Sequence, residues 1–200
     1  MKICVAYDEA FNFLYRPNID VFSRIGEVVS FSPLRDETLP SCDMLYLPGG
    51  YPELFVEDLE ANTSMRKSVR NFVEKEGFVW AECGGFMYLC HQIDHHEMCG
   101  VLPLDATMAD AHLHLGYRQM EWNGRQIKGH EFHYSKVKES FLPETFNIIT
   151  NQFSAKGIKV DTPVYRYKNM IAGYTHWYWA ELFEQILHEG KNPLEWLMMK

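Results

Sequence analysis

Cys83 is the residue best placed to do chemistry. It follows an apolar run, Phe78-Val-Trp-Ala81, and sits in Ala81-Glu-Cys-Gly-Gly85, ahead of a helical stretch over residues 86–91. A tight strand-to-helix turn with small neighbours holds its middle side chain in an exposed, strained position, an arrangement better known with serine in G-x-S-x-G. A cysteine there lies at a helix N-terminus, whose partial positive charge favours the thiolate. Two glycines are costly in a helix, so their presence calls for a reason such as close backbone approach. The competing reading is a buried, inert cysteine.

A nucleophilic thiol needs a base, and the chain has nine histidines. His176 follows a strand expected over 170–175 and precedes the last helix, which puts it at the C-terminal edge of a sheet, where sites form in open α/β folds. Gly49-Gly50 ends another strand at that same edge. Glycines there let the backbone approach a ligand and aim amides at a developing oxyanion, although an ordinary turn would read the same. His112-x-His114 and His130-x-x-His133 have spacings that could ligate a metal, but H-E-x-x-H and finger-type Cys/His spacings are missing, and no metal site is expected. His91, His95 and His96 lie in a polar stretch and read as surface residues. The run Glu131-Phe-His-Tyr-Ser135 reads as a pocket wall or a half-buried strand.

These residues need a frame. Short apolar runs at 2–7, 27–31, 43–47 and 78–81 read as strands. They alternate with helical spacing at 12–24 (with Pro17 as a break or turn and Gly26 as the stop) and at 62–76 (Asn62 as cap, Gly77 as the end). That order predicts an α/β fold: an open, mostly parallel sheet with helices on both faces. After about residue 100, strand-like pieces at 116–122, 131–137, 146–151, 164–167 and 170–175 follow one another, with a hairpin at Asn123-Gly124, so extra antiparallel strands are expected in the second half. A final helix over 178–188 stops at Gly190.

The 200 residues suit one domain, 1–200, with no linker long enough to divide it. With 19 basic and 27 acidic residues the net charge is −8, which argues against nucleic acid or an anionic membrane as partner. The apolar runs are too short to span a bilayer. Five cysteines without a C-x-x-C pair point to a reducing cytoplasm. Neither G-x-x-x-x-G-K-[ST] nor G-x-G-x-x-G occurs, so no nucleotide-binding site is recognisable.

Taken in order, Ala6-Tyr-Asp-Glu-Ala-Phe-Asn-Phe13, Phe31-Ser-Pro-Leu34, Leu47-Pro-Gly-Gly-Tyr-Pro-Glu53, Ala81-Glu-Cys-Gly-Gly85 with Met87-Tyr-Leu89, Gly100-Val-Leu-Pro103, Leu115-Gly-Tyr-Arg118, Gly129-His-Glu-Phe-His-Tyr-Ser135 and Ala172-Gly-Tyr-Thr-His176 span nearly the whole chain. The series resembles the glutamine amidotransferase domain of cobyrinate a,c-diamide synthases. The resemblance implies the flavodoxin-like class I glutaminase fold and a cysteine mechanism. In it Cys83 attacks the glutamine side-chain amide, His176 shuttles the proton, and backbone amides at Gly50 and Gly84 hold the oxyanion. Gly49, His133, Tyr134 and Ser135 fall where glutamine would bind. No cofactor is implied for this chain.

Two departures accompany the resemblance. Class I glutaminases carry an acid two residues after the histidine, whereas this sequence has Tyr178 there. The cobyrinate-type group resembles a Cys-His dyad, and Glu181 is a possible substitute acid. Synthases of this family also carry an N-terminal ATP-binding domain, which is absent here, so ATP and Mg are expected on a partner domain or subunit that carries the corrinoid acceptor. The alternative reading is a non-catalytic remnant, or a binding or assembly module on the amidotransferase fold. A different cysteine hydrolase on the same fold is a third option, against which the Gly129–Ser135 run argues.

Overall fold

The computed structural model describes residues 1–138, 142–149 and 151–198. In chain order its elements are β1 (Lys2–Ala6), α1 (Arg16–Ile25), β2 (Glu27–Phe31), β3 (Met44–Leu47), a short 3-10 turn (Pro52–Leu54), α2 (Val56–Ala61), α3 (Thr63–Glu74), β4 (Phe78–Glu82) and α4 (Gly84–Leu89). Strands then dominate: β5 (Cys90–Ile93), β6 (His96–Glu97), β7 (Leu102–Thr107), β8 (His114–Trp122), β9 (Arg125–His133), β10 (Lys136–Lys138), β11 (Asn147–Ile149), β12 (Gln152–Ser154), β13 (Val164–Tyr167), β14 (Met170–Gly173) and β15 (His176–Tyr178). Helices α5 (Ala180–His188) and α6 (Pro193–Met198) close the chain.

The central sheet has seven strands in the order β11-β13-β14-β4-β3-β1-β2. β2, β1, β3, β4 and β14 are parallel, and β13 and β11 extend the β14 edge antiparallel. Its middle strands are apolar along their length because both faces are covered. Cys4 and Ala6, Leu45 and Leu47, and Val79 and Ala81 enter one core with Leu59 of α2, Met65, Val69 and Val73 of α3, and Phe86 of α4. Ile3 and Val5, Met44 and Tyr46, and Phe78 and Trp80 enter the other, with Val21 and Phe22 of α1 and Phe183 and Ile186 of α5. The period-two alternation of a strand thus divides one sheet between two cores. The expected architecture is the one found.

Two smaller sheets flank it, in the orders β12-β8-β9-β15 and β10-β7-β5-β6. The first is built on the hairpin at Asn123-Gly124, where both residues have positive φ (47° and 74°), as a two-residue type I′ turn requires. The strands β5 to β7 and helix α2 were not foreseen, since short segments carry too few residues for a period to show.

Several boundaries shift for physical reasons. Helix α1 starts at Arg16 rather than at 12, and Pro17 opens it instead of breaking it, because the first turn has no use for the missing N–H. Asn62 caps α3 as expected, its side chain accepting from the Met65 amide. The left-handed residue that ends α3 is Glu76 (φ 62°) rather than Gly77. The strand expected over 131–137 divides at Tyr134-Ser135 between β9 and β10. The strand expected over 146–151 is observed at Asn147–Ile149, and residue 150 lies outside the described residues. No helix among the described residues is long and apolar enough to cross a membrane.

Candidate active site

Strand β4 ends at Glu82 and α4 begins at Gly84, which leaves Cys83 alone at the corner with φ 46° and ψ −105°. A non-glycine residue in such a conformation stores roughly 1–3 kcal/mol and persists only where its surroundings hold it. Here the Cys83 amide donates to the Gly173 carbonyl of β14 (2.8 Å), and its carbonyl accepts from the Met87 amide (2.9 Å). The two following glycines have a steric reason. A Cβ on Gly84 would lie 2.8 Å from Pro52 Cδ and 3.0 Å from the Gly50 nitrogen. One on Gly85 would collide with the Leu47 carbonyl.

The thiol is buried, and Sγ donates to the Phe132 carbonyl at 3.7 Å. Burial pushes its pKa up and the Glu53 charge adds to the rise, while a hydrogen bond from the Gly84 amide opposes it. The bias towards thiolate expected from the helix terminus is therefore overturned. α4 has only six residues, and desolvation outweighs its dipole. At rest Cys83 is a thiol.

His176 follows β14 and precedes α5, as the sequence suggested, but it does so within a short strand of its own. It opens β15, which joins the flanking sheet and pairs His176 with His130 of β9. Its imidazole stacks on His130 (4.9 Å between centroids, 18°) and meets Phe13 edge-on (4.6 Å). It rests on Gly49, where a Cβ would collide with Cε1. Burial lowers its pKa to about 3, helped by the charges of His130 and His133. The imidazole is thus neutral at rest and its Nδ1 is buried with no hydrogen-bond partner.

The acid beside it is Glu82. Its Oε2 lies 4.0 Å from Nδ1 of His176, and both side chains are almost fully buried. Tyr46 Oη donates to Oε2 (2.9 Å), while Trp80 Nε1 (3.0 Å) and the Trp177 amide (3.2 Å) donate to Oε1. Burial raises the carboxyl to about 7 against those donors. Glu181, the substitute considered from sequence, faces solvent in the first turn of α5 and lies 3.8 Å from Lys128. An acid at the end of a strand looks like a turn residue. The available signal was its place in an otherwise fully apolar central strand.

Cys83, His176, Gly50, His133, Tyr134 and Ser135 line one cleft of about 430 Å³. Gly49 and Gly84 stand directly behind it, against His176 and the Gly50 nitrogen. Residues predicted from four separate stretches of sequence therefore meet. The wall carries a charge network that sequence did not reveal. Glu131 accepts from His133 Nε2, Thr162 Oγ1 and Arg118 Nε, each at 2.7 Å. Burial pushes the Glu131 carboxyl up, but the His133 and Thr162 hydrogen bonds and the Arg118 charge overcome it and leave it at about 2. His133 Nδ1 faces the Ser135 carbonyl at 2.7 Å. His133 therefore faces an oxygen at both ring nitrogens. It is stacked between His114 and Tyr174.

His114, Glu131 and His133 thus come within 4.8 Å of one another, a group that could in principle hold a metal ion. The donor set fits one poorly. Both Glu131 oxygens and both His133 nitrogens are already engaged, and the Arg118 guanidinium sits on the same carboxylate. Only His114 Nε2 lacks a partner.

Residues 2–182 match the CobB/CobQ-like glutamine amidotransferase domain. The cobyrinate a,c-diamide synthase of Salmonella typhimurium is 36% identical over 94% of this chain and 44% of its own length. That of Methanothermobacter thermautotrophicus is 47% identical over 68% of this chain and 33% of its own. The chain therefore spans less than half the length of these curated relatives. Among solved structures, a crystal structure of a glutamine amidotransferase superposes with a TM-score of 0.60 over 98% of this chain and 99% of its own at 19% identity. A glutamine amidotransferase from Thermotoga maritima gives 0.56 over 98% and 88% at 12% identity. At such identities these likenesses speak for the fold.

Proposed function

This chain belongs to the CobB/CobQ-like glutamine amidotransferase family, and from that premise we propose that it hydrolyses glutamine through a Cys83 thioester and supplies ammonia for ATP-dependent amidation of corrinoid-type tetrapyrrole carboxylates. ATP, Mg and the corrinoid acceptor belong to a synthase half carried on a partner domain or subunit. The setting is the cytoplasm, which suits five unpaired thiols.

The chemistry follows from a neutral base beside an un-ionised thiol. Cys83 Sγ attacks the amide carbon as its proton moves to His176 Nε2, and the carbonyl π pair moves to oxygen. Amides at Gly50 and Gly84 hold that oxyanion. The adduct collapses, the C–N bond breaks, and the nitrogen leaves as ammonia with the proton from His176. Water then attacks the thioester. Its proton passes through His176 to sulfur, and glutamate departs. Glutamine would sit against Gly49, His133, Tyr134 and Ser135.

The observation that supports this most directly is the strained backbone of Cys83 at a corner whose side chain shares one cleft with His176. The test is glutamate release from glutamine, with the ATP-binding half of a cobyrinate a,c-diamide synthase added. Cys83→Ser is expected to lose at least about a thousandfold in kcat. Equal rates in the two proteins overturn the proposal.

A further inference from the structure

We infer that Glu82 is the positioning residue for His176, so that the acid missing two places after the histidine is supplied by the residue immediately before the nucleophile. The inference rests on the glutaminase reading and goes beyond it.

Its basis is geometric. Successive side chains of a strand point to opposite faces. Glu82 therefore lies on the Trp80 face of the central sheet, where Trp80 Nε1 reaches it, while Cys83 lies on the face of the cleft. β15 crosses the end of β4 and brings His176 to both: one edge of the imidazole lines the cleft, and Nδ1 points at Oε2 of Glu82 from 4.0 Å. That separation is long for a hydrogen bond, as such contacts often are before substrate binds. It lies within the distance at which a carboxylate stabilises a neighbouring imidazolium. Nδ1 has no other partner.

The rest of the Glu82 environment fits this role. Tyr46 from β3, Trp80 from β4 and the Trp177 amide from β15 donate to its two oxygens and fix the plane of the carboxylate. Among the described residues no Lys or Arg pairs with it. A buried carboxylate without a cation is costly, and the cation within reach is the imidazolium that forms on His176 when it accepts the Cys83 proton. In the neutral ring, Nδ1–H directed at Glu82 leaves the Nε2 lone pair for the thiol.

The titratable groups facing this pair are few. Glu82 is faced by Tyr46, by Tyr15, by Cys83 and by His176, and His176 by His130, His133 and Glu131. The Glu82 carboxyl ionises near 7, and its ionised form is the one that stabilises the imidazolium. Activity is therefore expected to rise as pH rises through about 7.

Two measurements on the full chain test this. Glutaminase pH profiles, with the synthase half added, are expected to show kcat falling by about a hundredfold or more in Glu82→Gln, with KM nearly unchanged and the acidic limb lost. Tyr46→Phe removes one donor at constant shape and is expected to move that limb upward by about one pH unit. Independently of turnover, NMR of ¹⁵N-histidine-labelled chain above pH 8, where Glu82 is ionised, is expected to find neutral His176 as the Nδ1–H tautomer. Unchanged profiles in both variants, or an Nε2–H tautomer in the wild type, overturn the inference. A wild type that releases no glutamate with its partner present defeats the glutaminase reading instead, and the NMR result still decides the role of Glu82.

Discussion

Gly49 and His176 are in contact, and the contact leaves no room for a side chain. A Cβ on Gly49 would overlap Cε1 of the imidazole and lie 2.9 Å from Nδ1. Gly49→Ala is therefore expected to push the ring out of register with the cleft. A misplacement of about 1 Å costs about a hundredfold in rate. Glutamate release should fall by that order while the thermal transition survives, and a wild-type rate would show that His176 tolerates the displacement.

The corner at Cys83 makes a stability prediction with an unusual sign. Glycine relieves the positive φ that cysteine and alanine must both bear there. Cys83→Gly is expected to unfold with a stability about 1 kcal/mol above that of Cys83→Ala. Urea unfolding of the two variants checks this. Equal or reversed stabilities would mean that the corner is not strained.

Thiol reactivity should follow pH in a simple way. Burial holds the Cys83 pKa above its ordinary value and lowers His176 to about 3, so no thiolate–imidazolium pair exists at rest. Alkylation of Cys83 by iodoacetamide, read by peptide mass spectrometry, is expected to be slow at neutral pH. It should climb steadily towards alkaline pH without an acid-side plateau. A plateau between pH 4 and 7 would reveal a pre-formed ion pair.

Glu82 carries a pH-dependent stability cost. Its folded pKa is raised from 4.5 to about 7, so the unfolded chain releases that proton first. Stability is then lost as pH rises from 4.5 to 7, by about 3 kcal/mol. Glu82→Gln removes this dependence. Relative to wild type, the variant should gain about that amount between pH 4 and pH 8 in urea unfolding, and a constant difference would refute the assignment.

Glu131 behaves in the opposite sense. Held at about 2 by His133, Thr162 and Arg118 against its burial, it contributes stability that is present above its ordinary pKa and lost as pH falls towards 2. Arg118→Ala leaves this carboxylate buried with one donor fewer and is expected to cost about 3 kcal/mol at pH 7. The loss should shrink in acid. A pH-independent loss would place the effect in packing.

Much of the site was legible because its chemistry is local. The residues Ala81 to Gly85 announce a tight corner by their sizes, and Asn123-Gly124 announces a hairpin by its φ preferences. The central sheet was legible from apolar runs that alternate with helical spacing. What escaped depends on contacts distant in sequence. His176-Trp-Tyr178 is too short for a strand period to appear, and it is a strand only because β9 supplies its hydrogen bonds. Glu82 looks like a turn acid until Tyr46, Trp80 and Trp177 are brought round it. The Arg118–Glu131–His133 network joins two strands of a hairpin through side-chain contacts that no spacing encodes.

Asn18, fully buried in α1, donates to the Trp177 carbonyl (2.8 Å) and accepts from the amides of Trp179 (2.8 Å) and Ala180 (3.1 Å). A side chain from the first turns of the chain thus fastens the strand that carries His176 and begins the helix after it. The contacts span about 160 residues in sequence, and the entropy of closing so long a loop must be paid before they can form. During synthesis the corner at Cys83 emerges well before the segment that carries His176. Cys83 and His176 therefore come to share one cleft only once residue 18 and residues 177–180 have met, so the cleft is completed by a contact that spans most of this sequence.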